Sequence, residues 1–319
     1  MPSSSLPSFI TFPGDPTAPA PIELLGVTLW SFPLAADRGA LQTLCDKLIA
    51  EPSGGAVRFH PLLPLVLMGV TEFPNAFFPA VAAHGRAKER ELSLSIPGLY
   101  VARAGALTEI GFALFMPFLF LDNPVAVATG REEFGFFKLH GALQLPTDPG
   151  STGFTVDVYG TKTFDPEVFW GETRLLTLTD TGSAAKEDIG LPWTSVADAG
   201  AKLSSALFRE AGDVIGKLAS AAAPLAGLAL GHISQIFLKQ FRDIADGTRA
   251  CYQAVTIARY AVTRLHSVSL ANRYEITLNP LDSSPVAAVL GLGNPTRTNL
   301  GVKVVMDMRL DPGRELWRA

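Results

Sequence analysis

Apolar and polar positions follow two rhythms along this chain. Leu92-Ser93-Leu94-Ser95-Ile96 steps with period two, as a half-buried strand does. Phe154 to Tyr159 and Arg174 to Thr179 alternate in the same way, and Ile22 to Leu34, Tyr274 to Leu278 and Val302 to Leu310 read as further strands. Phe112 to Leu121 is almost continuously apolar and suits a strand covered on both faces. Helical spacing enters between Asp37 and Ile49, where Leu41, Leu44, Cys45 and Leu48 fall on one face. The turn residues Glu51-Pro52-Ser53-Gly54-Gly55 end that helix. From about Ser195 to Tyr260 the chain turns Ala- and Leu-rich and predicts helices, interrupted at Pro224 and at Asp246-Gly247. Strands therefore cluster instead of alternating with helices. This predicts an α+β chain, mainly antiparallel β, with a late helical insertion at about 195–260.

Composition narrows the classes. The 319 residues suffice for one sizeable core, and the division expected is an N-terminal arm at 1–20 followed by a single domain at 21–319. A net charge of −4 leaves no basic footprint for nucleic acid. Only 18% of residues are charged against 48% apolar, which predicts a well-buried protein that hides further surface in a homo-oligomer. Met1 to Pro21 is rich in Ser and Pro and lacks a basic leader, so it reads as a flexible arm. Cys45 and Cys251 have no metal-type spacing and read as buried thiols of a reducing, cytoplasmic setting. The five histidines show no paired ligand spacing, and no metal is expected. The uncharged run between Lys217 and Lys239 is long enough to span a bilayer, but its Ala, Gly and Ser content and Pro224 favour a buried segment instead. Gly291-Leu292-Gly293 lacks the third glycine of a dinucleotide loop, and no nucleophile elbow or phosphate loop occurs.

The candidate chemistry lies in Gly135-Phe136-Phe137-Lys138, one lysine amid aromatic and small residues. An ammonium there would lose hydration, which favours the neutral amine that Schiff-base chemistry needs. Together, Met116-Pro117-Phe118-Leu119-Phe120-Leu121-Asp122-Asn123, Gly130-Arg131-Glu132 and Gly135-Phe136-Phe137-Lys138 resemble the signature of the acetoacetate decarboxylase family. That pattern runs roughly P-x-[MLI]-[YF]-[LV]-D, then G-R-E-x-x-G-[FY]-P-K-K. The resemblance implies an antiparallel sheet or barrel-like fold around a central cavity, over Leu24 to Trp317. It also implies large symmetric oligomers and an imine formed at Lys138. Phe137 replaces the usual proline and Leu139 the second lysine, which leaves three readings open: decarboxylation, aldol or dehydratase chemistry on the same scaffold, and a non-catalytic small-ligand-binding protein. No cofactor is expected, because a protonated imine is itself an electron sink. The partner is then a small carbonyl or keto-acid substrate.

Further site residues follow from position or from the resemblance. On a strand, Phe136 and His140 would share the face of Lys138, and Leu139 would point away. Arg131 and Glu132 would leave a strand on opposite sides, as a structural pair or, as the resemblance implies for the glutamate, close to the site. The family's second carboxylate, in a pattern E-x-x-x-x-I-P, falls on Glu91, with Glu109 as the alternative. Arg242, in an expected helix-and-turn module at 238–254, offers a fork for a substrate carboxylate, as do Arg58 and Arg103.

Overall fold

The computed structural model of the chain describes residues 6–182, 231–298 and 301–319. In chain order these form β1 (Ile22–Ala35), α1 (Arg38–Cys45), β2 (Val57–Pro61), β3 (Leu65–Phe77), β4 (Arg86–Ala104) and β5 (Leu107–Leu121). Next come α2 (Pro124–Thr129), β6 (Lys138–Gln144), β7 (Gly153–Gly160) and β8 (Gly171–Gly182). The remainder is β9 (His232–Arg242), β10 (Ala250–Leu270), β11 (Arg273–Leu278), α3 (Val286–Leu290), β12 (Thr296–Thr298), β13 (Val302–Leu310) and β14 (Arg314–Arg318).

Seven strands close on themselves in the order β5-β9-β10-β13-β1-β3-β4, with β4 pairing back to β5. A wing of β6, β7, β8, β11 and β12 continues from β5. The branch arises because β5 changes partner along its length. Leu114 and Phe115 pair with Gln235 and Ile236 of β9, whereas Leu119 to Leu121 pair with Lys138 to His140 of β6. The ring and the wing thus part between Phe115 and Leu119, and Lys138 stands at the fork.

Alternation gives each face of the ring its own core. Leu24, Leu67, Leu119, Phe237, Tyr260 and Met306 come from strands around the ring and fill its interior with Phe134 and Phe136. Phe32, Met68, Leu92 and Leu94 face the other way and pack with Phe154, Leu176 and Ile276 of the wing. A buried aromatic group of Trp30, Phe32, Phe154 and Tyr274, in edge-on contacts of 5.3–6.2 Å, joins wing to ring.

The strands expected from alternation are all present, and α1 occupies the expected helical window, extended by a wider turn at Asp46–Ala50. Four expectations need correction. The segment 232–260, read as helical, forms the β9–β10 hairpin; the rest of the expected insertion, 195–230, lies outside the described residues. Its alanines mislead: Ala254 and Ala258 are buried strand residues, and β10 is held on both sides by β9 and β13. Arg131 and Glu132 lie on a wide helical turn, Gly130–Phe134, and not on a strand. Cys251 is exposed; Cys45 is buried, which pushes its thiol up to about 12. The end of the N-terminal arm is anchored, with Ala18 buried and the Ala20 amide donating to Glu133 at 2.8 Å. No helix among the described residues is long and apolar enough to cross a membrane.

Candidate active site

Lys138 opens β6 and is 6% exposed. The chain reaches it from α2, whose N-terminus is capped by Asn123 Oδ1 accepting from the amides of Val125 and Ala126. Pro124 sits in the first turn, where its missing N–H is harmless. The wide turn Gly130–Phe134 follows and ends at Gly135, whose φ of +81° is left-handed. Gly135 also abuts β9, where an added Cβ would stand 2.3 Å from Cβ of Lys239. The Lys239 ammonium donates to the carbonyl of Glu133 at 3.0 Å, and Thr256 Oγ1 donates to that of Phe134 at 2.7 Å. The loop is thereby wedged into the fork.

Strand β4 faces it. Glu89 and Glu91 are two residues apart and share the inward face, while Arg90 turns outward. Arg90 makes a two-point contact with Asp148 at 2.7 and 2.8 Å. The Asp122-Asn123 pair holds this register: Asp122 Oδ1 accepts from the Arg90 amide at 2.7 Å, and Asn123 Nδ2 donates to the Lys88 carbonyl at 2.8 Å. The signature aspartate therefore pins the strand that carries the acids.

Nζ of Lys138 lies 3.6 Å from Oε2 of Glu91, whose side chain is 12% exposed, and 5.4 Å from the Phe136 ring centre. Phe136 packs on Phe134 and Phe237 with ring centres 4.9 and 4.4 Å apart. A cavity of about 40 Å³ opens here, lined by Glu89, Thr129, Gly130, Phe136, Lys138 and Tyr260 among others. Burial raises the Glu91 carboxyl above its usual range, and Lys138 opposes that rise. Burial likewise pushes Glu89 up to about 6, against the pull of Lys138 and with help from Glu91 and Asp122. The Tyr260 phenol is driven well above its ordinary value by burial and by both glutamates. Thr129 Oγ1 is the one fully buried side-chain polar atom without a hydrogen-bond partner among the described residues.

No family model matches the sequence, and no curated protein matches it. Solved structures do. Acetoacetate decarboxylase from Legionella pneumophila aligns over 99% of this chain and 93% of its own, with TM-score 0.56 and 13% identity. A second acetoacetate decarboxylase structure aligns over 95% and 92%, with TM-score 0.53 and 14% identity. The enduracididine biosynthesis enzyme MppR, complexed with pyruvate, aligns over 94% and 91%, with TM-score 0.55 and 11% identity. The fold is acetoacetate decarboxylase-like.

Within this acetoacetate decarboxylase-like fold the expected site residues fall in different places. Lys138, Glu91 and Phe136 come together in the ring. Arg131, Glu132 and Arg242 line a separate groove of about 600 Å³, beyond Phe136, with Phe137 and Arg249. Arg131 donates to the Lys138 carbonyl at 3.1 Å and stacks on Phe137, so it braces the backbone of the lysine from outside. Phe137 is 52% exposed and does not shield the amine. Arg242 ends β9 and binds the Gly247 carbonyl. His140 is exposed: it lies on β6 past the point where α2 and its following turn cover Lys138. Glu109 is exposed near the β4–β5 tip and engaged by Tyr100 and Arg314. Arg58 and Arg103 are exposed and line neither the cavity nor the groove. Sequence reasoning missed Glu89, Thr129 and Tyr260. For Glu89 a signal existed, since it lies two residues before Glu91 on an alternating strand.

Proposed function

We propose that this chain is a cofactor-independent lyase acting on a small β-keto acid or related carbonyl compound through a Schiff base at Lys138. One observation carries this reading: a lysine buried at the fork of a closed sheet, 3.6 Å from a largely covered carboxylate, beside a cavity sized for a few heavy atoms. Attack of the neutral Lys138 amine on the substrate carbonyl forms the C–N bond and, with uptake of one proton from solvent, expels water to leave a protonated imine. When CO2 departs, the electrons of the breaking C–C bond flow to that nitrogen and yield an enamine. Glu91, 3.6 Å from Nζ, would hold the developing iminium charge. Among the described residues the cavity lining includes no arginine, so a bound carboxylate would face Glu89 with only the imine as its cation. Releasing it as neutral CO2 relieves that repulsion. Thr129 Oγ1 is free to hydrogen-bond a substrate oxygen.

Aldol or dehydratase chemistry at the same imine is the second reading. It is favoured by the equal likeness to MppR, one of whose structures is complexed with the condensation product of pyruvate and imidazole 4-carboxaldehyde, at TM-score 0.54. Borohydride reduction in the presence of a panel of keto acids and aldehydes, read by intact mass, tests the imine. Release of CO2 separates decarboxylase from aldolase or dehydratase. Binding without any reductive adduct would instead mark a non-catalytic ligand-binding protein.

A further inference from the structure

We infer that Glu89 is a second acid of this site, the one that moves the proton on and off the carbon next to the imine. The proposal rests on the imine reading and goes beyond it, since that reading uses only Lys138 and Glu91. Three observations carry it. Glu89 and Lys138 line the same cavity of about 40 Å³. Strand alternation sets Glu89 on the same face as Glu91, one pleat away, and Glu91 is already engaged with Lys138 Nζ at 3.6 Å. An acid committed to the nitrogen is poorly placed to serve the carbon, whereas a neighbour about 7 Å further along the strand reaches past it. The strand is also held rigidly in this register, through Asp122 on the Arg90 amide and Asn123 on the Lys88 carbonyl.

The charged and titratable groups facing Glu89 are Glu91 on its own strand, Asp122 at the end of β5, Lys138 on β6 and Tyr260 on β10. Desolvation and its acidic neighbours push its carboxyl up to about 6, so both forms are accessible near neutral pH. In the decarboxylation cycle the enamine carbon takes the proton of the Glu89 carboxyl: a C–H bond forms, the O–H bond breaks, and the C=N bond of the iminium is restored. Water then adds to the iminium carbon, the C–N bond breaks, and the ketone leaves. The Glu89 carboxylate regains a proton from solvent, one for each CO2 released. The same step in reverse removes an α-proton from a ketone bound as its iminium.

That reverse step supplies the test. Acetone in D2O should exchange its α-protons in the presence of the parent protein, and borohydride should trap acetone on Lys138. Glu89→Gln should still give the reductive adduct while exchange falls at least about 100-fold, the scale of a lost general base. The limb of the exchange profile near pH 6 should vanish with it. Exchange at the parental rate in Glu89→Gln would overturn the proposal. Should Glu89→Gln not fold, Glu89→Asp keeps the charge and withdraws the carboxyl by one methylene. Slower exchange with unchanged trapping would then support the role, and unchanged exchange would overturn it. Absence of any acetone adduct in the parent would be a different failure: it would refute the imine itself, and this proposal with it.

Discussion

Gly130 leaves the space that the Lys138 side chain occupies: a Cβ added there would stand 2.7 Å from Cδ and 3.0 Å from Cε of the lysine. The glycine of the Gly130-Arg131-Glu132 motif is thus explained by close approach, since its backbone is right-handed and imposes no special demand for glycine. Gly130→Ala should displace the amine from Glu91 and reduce reductive trapping at least about 10-fold, because misplacement by an ångström is costly in a preorganised site. Intact-mass measurement after borohydride treatment checks this. Trapping at the parental rate would show that the amine tolerates the shift.

Lys138→Ala should abolish the adduct entirely and leave the fold intact. It also removes the cation that holds down the pKa of both Glu89 and Glu91, so both should rise further. Circular dichroism and carboxyl titration by NMR report the two effects separately. An adduct persisting in Lys138→Ala would place the nucleophile elsewhere.

Glu89 also predicts a pH dependence of stability. Its carboxyl is raised from 4.5 to about 6 on folding, so the folded state holds the proton more tightly than the unfolded chain. The resulting stabilisation is complete below about pH 4.5 and is lost as pH rises through about 6. Glu89→Gln should therefore gain on the order of 1–2 kcal/mol over the parent at pH 8, and this gap should narrow towards pH 5. Urea unfolding at the two pH values measures it. A gap that does not change with pH would contradict the assignment of that titration.

Thr129→Val should separate stability from function. The substitution keeps the shape and deletes an unpaired buried hydroxyl, so unfolding should require about 1 kcal/mol more. If the hydroxyl serves the substrate, KM should rise several-fold while reductive trapping of a saturating ketone persists. Improved stability with unchanged KM would assign Thr129 no part in binding.

A homo-oligomer remains the expectation from the apolar surface. Phe169 and Ile244 are fully uncovered in the single chain, and Phe164 stacks on Trp170 at 6.0 Å on the same loop as Phe169. Sedimentation at micromolar concentration should show an assembly larger than one chain, and a monomer there would refute it.

The juxtaposition of Lys138 and Glu91 was legible because each sits in a local pattern whose spacing survives into three dimensions. The lysine closes a glycine-rich motif, and the glutamate opens an alternating strand that ends in Ile96-Pro97. Glu89 shares that strand, but its role depends on which face turns inward, and this is set by Asp122 from another strand. His140 was misplaced for a related reason. It shares a face with Lys138, but the cover supplied by α2 and its turn stops at the lysine, a fact of tertiary packing. In β10, Ala-rich composition masked a strand whose identity comes from its partners on either side. Tyr260 was therefore not visible as a member of the site.

The order Glu89-Arg90-Glu91 gives β4 a binary character. One face offers the ring interior two acids; the other offers the wing a guanidinium held by Asp148 and, at 3.6 Å, by Glu72. A slip of one residue would exchange acids for a base in the cavity, and no intermediate arrangement exists on a pleated strand. Descendants of this chain can drift in the length of the turn between β3 and β4 without touching the site, provided that parity is kept. An odd slip would turn an acid-lined pocket into an anion receptor in a single step.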